Sequence, residues 1–448
     1  MIALLGLALV AVFSVLMVLA YSVPDSVVQS RMPTSIHQLE LEGHPYVPFV
    51  GLHSLMPDNF TDALMLNQAV GDPSVGPIRG AFGSYMTVTS PIIDHDPLEG
   101  LQASITGGGT KASYARYWHG YQVVLRPALA FLDYRALRFV NVIWLSLLVT
   151  LASVVVRYRL GLKAMLASLM ALFAVGIVVV PISIQFSGVF NIMLLGVIAV
   201  SLRVTRDGRL ARDLETFFIL GAVTSFVDLL TAPLLTLGMP LTVLLISRMR
   251  SDSESRITRQ WACAAKMAVS WAVGYAGIWA SKWVLSSLML GGGVFGEVAE
   301  NIAYVLDGGE AGVTLSRIDT VIHNVTMLIP AFGWNTSSPM LWDVVLGTLL
   351  MPALAIAVAL VVLARHRRSD GRAGRVLGLL PAMLLPFAWY MVVNNHSAQH
   401  YWMAYRSLAT MLFAVIFSVL YLFDPAFLLA LKSRIVARLR GDGGGAAT

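Results

Sequence analysis

The chain has 448 residues, of which 57% are hydrophobic and only 12% are charged, and its mean hydropathy is +0.74. This apolar excess excludes an ordinary soluble fold, which would have to expose it, and favours lipid as the solvent. The net charge of +6 does not indicate a nucleic-acid partner, because the basic residues lie in short clusters between apolar runs. The single cysteine, Cys263, excludes a framework of disulfides or cysteine-bound metal.

Apolar runs of roughly 20 residues recur along the chain and predict an all-α polytopic membrane protein with about ten transmembrane helices. The predicted spans are 2–21, 137–156, 165–183, 190–202, 216–230, 234–247, 261–285, 341–364, 376–393 and 408–422. Because the first run lacks a basic flank, a cleaved signal peptide is an alternative interpretation of it. The two short runs around Thr231, Ala232 and Pro233 fit a helical hairpin with a proline turn, which we favour, or broken helices at a binding site.

Lysine and arginine residues predict the orientation. Most of the 31 basic residues fall in alternate connections, at 157–163, 203–212, 248–259, 365–375 and 432–440. The positive-inside rule makes these connections and both termini cytoplasmic. We therefore predict a multi-pass protein of the inner (plasma) membrane in four parts. These are a first transmembrane helix or signal anchor (1–22), a large first extracytoplasmic loop with short interface helices (23–135), a bundle of about nine helices with an outer loop near 290–340 (136–432), and a cytoplasmic tail (433–448).

Within the large loop, turn residues are more common than long periodic patterns. Residues 61–70 predict a short helix. Residues 113–125, SYARYWHGYQVVL, interleave aromatic and basic residues and predict a helix in the membrane interface, with Tyr114, Tyr117 and Tyr121 on one face. In the simplest interpretation this helix anchors the loop to the membrane.

The predicted topology gathers ionisable residues at the extracytoplasmic ends of the spans, where a charged side chain requires a partner or a function. They are Asp58 and Asp62 in PDNFTDALMLN, Arg116 and His119 in YARYWHGY, Asp228 in SFVDLLTAP, Lys282 in WASKW, and His396, His400 and Arg406 in NHSAQHYWMAYR. Structural explanations compete: Lys282 could extend to the interface, Asp228 could stabilise the hairpin, and Asp58 could cap the helix at residue 61.

These residue types suit glycosyl transfer at a membrane. A carboxylate can accept the proton of a sugar hydroxyl as that hydroxyl attacks an anomeric carbon. Basic side chains can stabilise a lipid phosphate, which gains negative charge as it leaves. An enzyme of this kind also needs an apolar groove for a polyprenyl tail, which a helical bundle can supply.

The arrangement of an amino-terminal span, a long outer loop with aspartates, an interface helix and many further spans resembles the GT-C class of polyprenyl-phosphate-sugar-dependent glycosyltransferases. The phrases quoted above, with GYAGIWASKW, are similar to those of bacterial membrane proteins grouped with that class. The resemblance implies a catalytic aspartate in the first outer loop, hence Asp62 or Asp58. It also implies a polyprenyl-phosphate sugar donor and a glycan or glycolipid acceptor of the cell envelope. Many members instead place an acidic pair close to the first span.

From their charge and predicted position, we assign the donor phosphate to Lys282, Arg406, His400 and Arg116, with Asp228, His119 and His396 as supporting polar groups. Several GT-C members hold the phosphate with a divalent cation and others with basic side chains, and we expect the second mode here. Asp94 and Asp96, on either side of a histidine, are weak candidates for a cation site.

Two other classes of function remain open. A flippase or transporter of a lipid-linked glycan would use the same charges, but it should carry them near the membrane midplane and show paired halves, and the sequence has no internal repeat. A non-enzymatic subunit of envelope assembly could use the large loop to bind a partner. Substitution of the catalytic aspartate separates the three classes, because it should abolish sugar transfer in the enzyme but leave transport or assembly intact in the other two.

Overall fold

The computed structural model describes residues 2–45, 53–90, 96–203, 210–251, 257–291, 294–307, 315–328 and 372–422. The first half contains the helices α1 (Ile2–Tyr21), α2 (Asp25–Gln29), α3 (Met32–Glu42), α4 (Asn59–Val70), α5 (Pro77–Gly83), α6 (Pro97–Thr106), α7 (Gln122–Leu129), α8 (Tyr134–Leu160), α9 (Leu162–Ala174) and α10 (Ile184–Arg203). The second half contains α11 (Leu210–Val227), α12 (Leu234–Ser251), α13 (Ile257–Leu290), α14 (Val294–Asp307), α15 (Arg317–Thr326), α16 (Arg372–Val376), α17 (Leu380–Val392), α18 (Asn394–Gln399), α19 (Tyr401–Ala404) and α20 (Ala409–Leu422).

The all-α class is confirmed, and every predicted span except 341–364 overlaps a helix, although α9 ends at Ala174, nine residues before the predicted end at 183. Five helical segments are long and apolar enough to cross a membrane: Ile2–Tyr21, Tyr134–Leu160, Ile184–Arg203, Gly374–Val392 and Tyr401–Leu422. The protein is therefore a membrane protein, while a total of about ten spans stays a prediction. The span predicted at 341–364 and the tail at 433–448 lie outside the described residues.

Local sequence sets the helix ends. The Asp133 carboxylate accepts the N–H of Ala136 at 2.8 Å and caps the start of α8. Gly161 ends this helix with a φ of 85°, a value that suits glycine, and α9 begins at the next residue. The main apolar core lies between α8, α9, α10, α12 and α20.

Helices α11 and α13 approach closely because glycine lies at the contact. A Cβ atom added at Gly221 would overlap the Trp271 carbonyl, and one at Gly274 would overlap the Phe218 carbonyl. Each glycine therefore accommodates the backbone of the other helix, as small residues do where membrane helices cross.

The loop between α1 and α8 folds on its own small core and includes two short strands. Strand β1 (Met86–Val88) pairs antiparallel with β2 (Thr110–Ala112), and Thr87 lies opposite Lys111. The Asn67 side chain of α4 binds both the N–H and the carbonyl of Thr87 at 2.9 Å, which attaches the sheet to this helix. The short helix predicted at 61–70 is confirmed as α4.

The interface helix predicted at 113–125 is wrong for most of its length. Residues 113–121 form turns, and only α7, from Gln122, is helical. His119 has a φ of 56°, which interrupts a right-handed helix. Gly120 then donates its N–H to the Phe226 carbonyl at 2.7 Å, in a space where a Cβ would overlap Phe226. The aromatic side chains of this segment consequently pack on the bundle.

Arg126 joins the end of α1 to the loop. Its guanidinium donates to the carbonyls of Ala20 at 3.0 Å and Val23 at 2.8 Å, and it pairs with Asp25 at 2.6 Å. Along α1, the Phe13 ring stacks on Phe226 at 4.0 Å. These contacts pack α1 against the loop and the bundle, while the choice between a first span and a signal peptide stays a prediction.

Segments predicted to be extracytoplasmic meet at one end of the bundle, which we call the loop end. There Trp118 donates to the Ile278 carbonyl at 2.7 Å, and His396 donates to the Leu230 carbonyl at 2.8 Å. The loop, the turn between α11 and α12, the end of α13 and α18 are thus brought together.

Candidate functional site

Six of the predicted site residues lie in two groups at the loop end, together with aromatic residues that the sequence did not single out. We call the first the Arg406 cluster, and it comprises Asp58, Asp228, His396, His400, Trp402 and Arg406. We call the second the aromatic wall, and it comprises Trp271, Tyr275, Trp279 and Trp283 of α13 with Tyr114, Arg116 and Tyr117 of the loop. Asp62, His119 and Lys282 belong to neither group, because their hydrogen bonds hold other parts of the fold.

Arg406 is a fully buried cation with unused donors. Its Nη1 donates to the Trp402 carbonyl, and its guanidinium lies 4.2 Å from the centre of the Phe186 ring and 5.0 Å from that of Tyr405. Among the described residues, Nε and Nη2 have no hydrogen-bond partner and no carboxylate forms an ion pair with the group. Burying a charge in this way is costly unless a ligand satisfies it.

Asp58 caps α4 and lies in the electrostatic field of Arg406. Its Oδ1 accepts the N–H of Thr61 at 2.9 Å, and its Oδ2 accepts the Thr61 hydroxyl at 2.8 Å. The attraction of Arg406 acts on the carboxylate, and Trp402 lies beside it. Burial raises the pKa of Asp58 from 3.8 to about 6. The capping prediction is confirmed, and each oxygen still has capacity for one further proton donor.

The two histidines of the cluster are neutral. His396 Nε2 donates to the Leu230 carbonyl, and the His396 and His400 ring centres are 4.6 Å apart. Burial lowers the pKa of His396 to about 4 and that of His400 to about 3. His400 would therefore meet a phosphate as a neutral hydrogen-bonding group. Its Nδ1 has no hydrogen-bond partner within the described ranges.

Asp228 begins the turn between α11 and α12. Its Oδ1 accepts the N–H of Thr231 at 3.2 Å, whereas its buried Oδ2 has no hydrogen-bond partner in the described part of the protein. Leu230 has a φ of 65°, which is uncommon for a residue other than glycine and is found most often where function requires it. The favoured hairpin interpretation is confirmed, because α11 ends at Val227 and α12 begins at Leu234.

Asp62 has a different role from Asp58, although it lies one turn further along α4. Its Oδ2 accepts the Tyr134 hydroxyl at 2.7 Å and the N–H of Ile184 at 2.9 Å, while its Oδ1 accepts the N–H of Gln185 at 2.9 Å and the Ser183 hydroxyl at 3.3 Å. The carboxylate thus caps α10 from a distant part of the chain, and all its acceptor positions are used. The geometry favours Asp58 over Asp62 as a general base.

Lys282 holds the end of α5. Its ammonium group donates to the carbonyls of Ala81 at 3.1 Å and Phe82 at 3.0 Å, and Ser286 donates to the second carbonyl at 3.0 Å. A cation at a helix C-terminus satisfies carbonyls that the helix leaves open. The side chain is fully buried, so it does not extend to the interface, and its hydrogen bonds in the described structure do not reach the Arg406 cluster.

His119 is also committed to the fold. Its Nε2 donates to the Tyr114 carbonyl at 2.8 Å, and its Nδ1 lies 3.0 Å from the Tyr121 hydroxyl. Burial, assisted by the positive charge of Lys282, lowers its pKa to about 3. His119 therefore fixes the turn that carries Arg116 and remains neutral.

The cation hypothesis gains no support in the described ranges, which contain no group of three or more metal-binding side chains. Asp96 caps α6 through the N–H of Leu98 at 2.8 Å and contacts His44 Nε2 at 2.8 Å. Asp94 lies outside the described residues.

Several residues that shape the site were not identified from the sequence. Phe186 and Trp402 pack against Arg406 and Asp58, and no local pattern links residues so far apart. The aromatic stripe of α13 was detectable, since its four rings recur at every fourth residue and therefore share one face of a helix.

Comparison with known proteins gives no identification. No family model matches the chain, and no curated protein or solved structure is significantly similar to it.

Proposed function

We propose that this protein is a membrane glycosyltransferase of GT-C type, which moves a sugar from a polyprenyl-phosphate-linked donor to a glycan or glycolipid acceptor of the cell envelope. The observation that carries the proposal is the buried Arg406 guanidinium, whose Nε and Nη2 have no hydrogen-bond partner among the described residues. Two free N–H groups of one guanidinium match two oxygens of a phosphate.

The reaction uses Arg406 and Asp58, which act on each other electrostatically without forming an ion pair. The acceptor hydroxyl oxygen attacks the anomeric carbon of the donor, and the bond from that carbon to the phosphate oxygen breaks. Asp58 accepts the hydroxyl proton, since its pKa of about 6 leaves it mostly ionised at neutral pH. Arg406 stabilises the charge that develops on the leaving lipid phosphate. This scheme needs no cation.

The location of the site also supports the proposal. The Arg406 cluster lies at the loop end, where the topology prediction places the extracytoplasmic face, and not midway along the spans as a carrier would require.

A separate apolar groove of about 380 Å³ opens between the first halves of α11 and α13, away from the loop end, with Phe218, Val269 and Val273 among its lining residues.

The proposal is tested by donor binding. Purified protein in nanodiscs is titrated with a polyprenyl phosphate, and with the corresponding alcohol to measure binding of the tail alone. Arg406→Gln should weaken binding of the phosphate by about tenfold or more, whereas Arg135→Gln, at an exposed arginine, should not. The melting temperature of Arg406→Gln should stay the same or rise, because a buried charge has been removed.

Equal affinity of the wild type and Arg406→Gln would overturn the phosphate assignment. Complete loss of binding on addition of a chelator would overturn the metal-independent scheme. If the phosphate binds through Arg406 but no sugar is transferred, the flippase function replaces the enzyme. If no polyprenyl phosphate binds at all, the assembly subunit replaces both.

A further inference from the structure

The aromatic wall begins beside the Arg406 cluster. Successive ring centres on one face of α13 are 5.0, 6.1 and 5.3 Å apart, in the order Trp271, Tyr275, Trp279 and Trp283. The negative charge of Asp228, a member of the cluster, acts electrostatically on Tyr275. The wall thus starts at the cluster and follows the helix towards its end.

The loop completes the wall at its outer end. The rings of Tyr117 and Trp279 stack with centres 5.7 Å apart and planes inclined by 14°. The indole N–H groups of Trp279 and Trp283 both donate to the Arg116 carbonyl, at 2.8 and 3.1 Å. Two tryptophans of the wall therefore hold the Arg116 carbonyl, and they lie about 6 and 12 Å beyond Tyr275 along the helix axis.

Arg116 gives this outer end a positive charge. Its guanidinium lies 4.0 Å from the centre of the Tyr114 ring and 5.7 Å from that of Tyr117. In the ranges that the structure covers, its Nε has no hydrogen-bond partner and no carboxylate pairs with it. Within the wall, Tyr114, Trp279 and Trp283 are partly exposed and form the part that a ligand can reach. The rings of Trp271, Tyr275 and Tyr117 are buried in the core.

We propose that the aromatic wall is the acceptor subsite and that the acceptor is an anionic glycan whose acidic group binds Arg116. This inference rests on the proposed transferase function. Sugar rings pack their C–H faces on aromatic rings, and a guanidinium held rigidly on such rings binds a carboxylate or phosphate with two N–H groups. Arg406 holds the donor phosphate, so a second arginine at the outer end of the wall serves the other substrate.

The experiment compares anionic and neutral glycans on the full-length protein in nanodiscs. An oligogalacturonate is titrated against a maltooligosaccharide of equal length, at two salt concentrations. We expect the wild type to prefer the anionic probe. Arg116→Gln should lower the affinity for the anionic probe about tenfold and remove the salt dependence of its binding. Arg116→Lys should retain part of that affinity. Arg79→Gln, at an exposed arginine of the same loop, should leave the affinity unchanged. Melting temperatures confirm that each variant is folded.

Three results would overturn the inference: equal affinity for the two probes, unchanged binding by Arg116→Gln, or an equal loss of polyprenyl phosphate binding in Arg116→Gln, which would return Arg116 to the donor site. Failure of the proposed function is distinguishable. Arg406→Gln should weaken polyprenyl phosphate binding and leave oligogalacturonate binding intact. If the wild type binds only the oligogalacturonate, through Arg116, the anionic-glycan site stands without the transferase.

Discussion

Asp58 and Asp62 lie on adjacent turns around the start of α4, yet their surroundings give them different chemistry. Four groups donate to Asp62, from Tyr134 and from the start of α10. In the described part of the chain, Thr61 donates two hydrogen bonds to Asp58, Trp402 lies beside the carboxylate, and the charge of Arg406 acts on it. One carboxylate is therefore a structural cap, and the other is available for proton transfer.

The two aspartates should respond differently to substitution by asparagine. Asp62→Asn should lower the stability by about 1–3 kcal/mol, because the amide can no longer accept all four hydrogen bonds. Asp58→Asn should abolish sugar transfer while changing the melting temperature less. Thermal unfolding in detergent measures the first effect. The control is Asp72→Asn, in an exposed turn of the same loop. A larger stability loss for Asp58→Asn than for Asp62→Asn would contradict this division.

The pH profile should report Asp58. Burial raises its pKa to about 6, so the basic form is gained as the pH rises through that value. Transfer should therefore be half-maximal near pH 6 and fall about tenfold for each further unit of acidification. The raised pKa also means that ionisation costs folding free energy between pH 4 and 6, so the group does not stabilise the fold as the pH rises. A flat rate from pH 5 to 8, measured with saturating donor, would reject Asp58 as the base.

At the scale of the helices, apolar periodicity was sufficient to locate a helix where burial in lipid or in the core decides the structure. It predicted α1, α8 and α10 to α13 within a few residues. It failed at 113–121, because tertiary contacts override the local pattern there: His119 adopts a positive φ and Gly120 packs directly on Phe226. Such contacts join residues about a hundred positions apart, and a single sequence does not reveal them.

The crossing of α11 and α13 should depend on its glycines. Gly221→Leu or Gly274→Leu would place a side chain on the carbonyl of the opposite helix, so each should force the helices apart and lower the melting temperature strongly. Gly277→Leu is the matched control on α13, because a Cβ there meets nothing within 4 Å. If all three variants melted alike in detergent, the close crossing would be wrong.

For the whole molecule, topology was more informative than any motif. The positive-inside pattern assigned scattered charges to one face, and the structure brings Asp58, Asp228, His396, His400 and Arg406 together at the loop end. The sequence could not separate these residues from Lys282, Asp62 and His119, because all eight look alike as polar residues near helix ends. Only the hydrogen bonds distinguish the side chains that hold the fold from those whose donor or acceptor atoms are still available.

Transfer of labelled sugar reports directly on the proposed roles of Asp58 and Arg406. The purified protein is incubated with a polyprenyl-lipid extract whose sugars carry a radioactive label, together with a cell-envelope glycan fraction. The wild type and Asp72→Asn should move label from the lipid to the glycan, and Asp58→Asn and Arg406→Gln should not. Sugar transfer by Asp58→Asn at the wild-type rate would contradict the role of Asp58 as the base. Absence of sugar transfer by the wild type would contradict the transferase function.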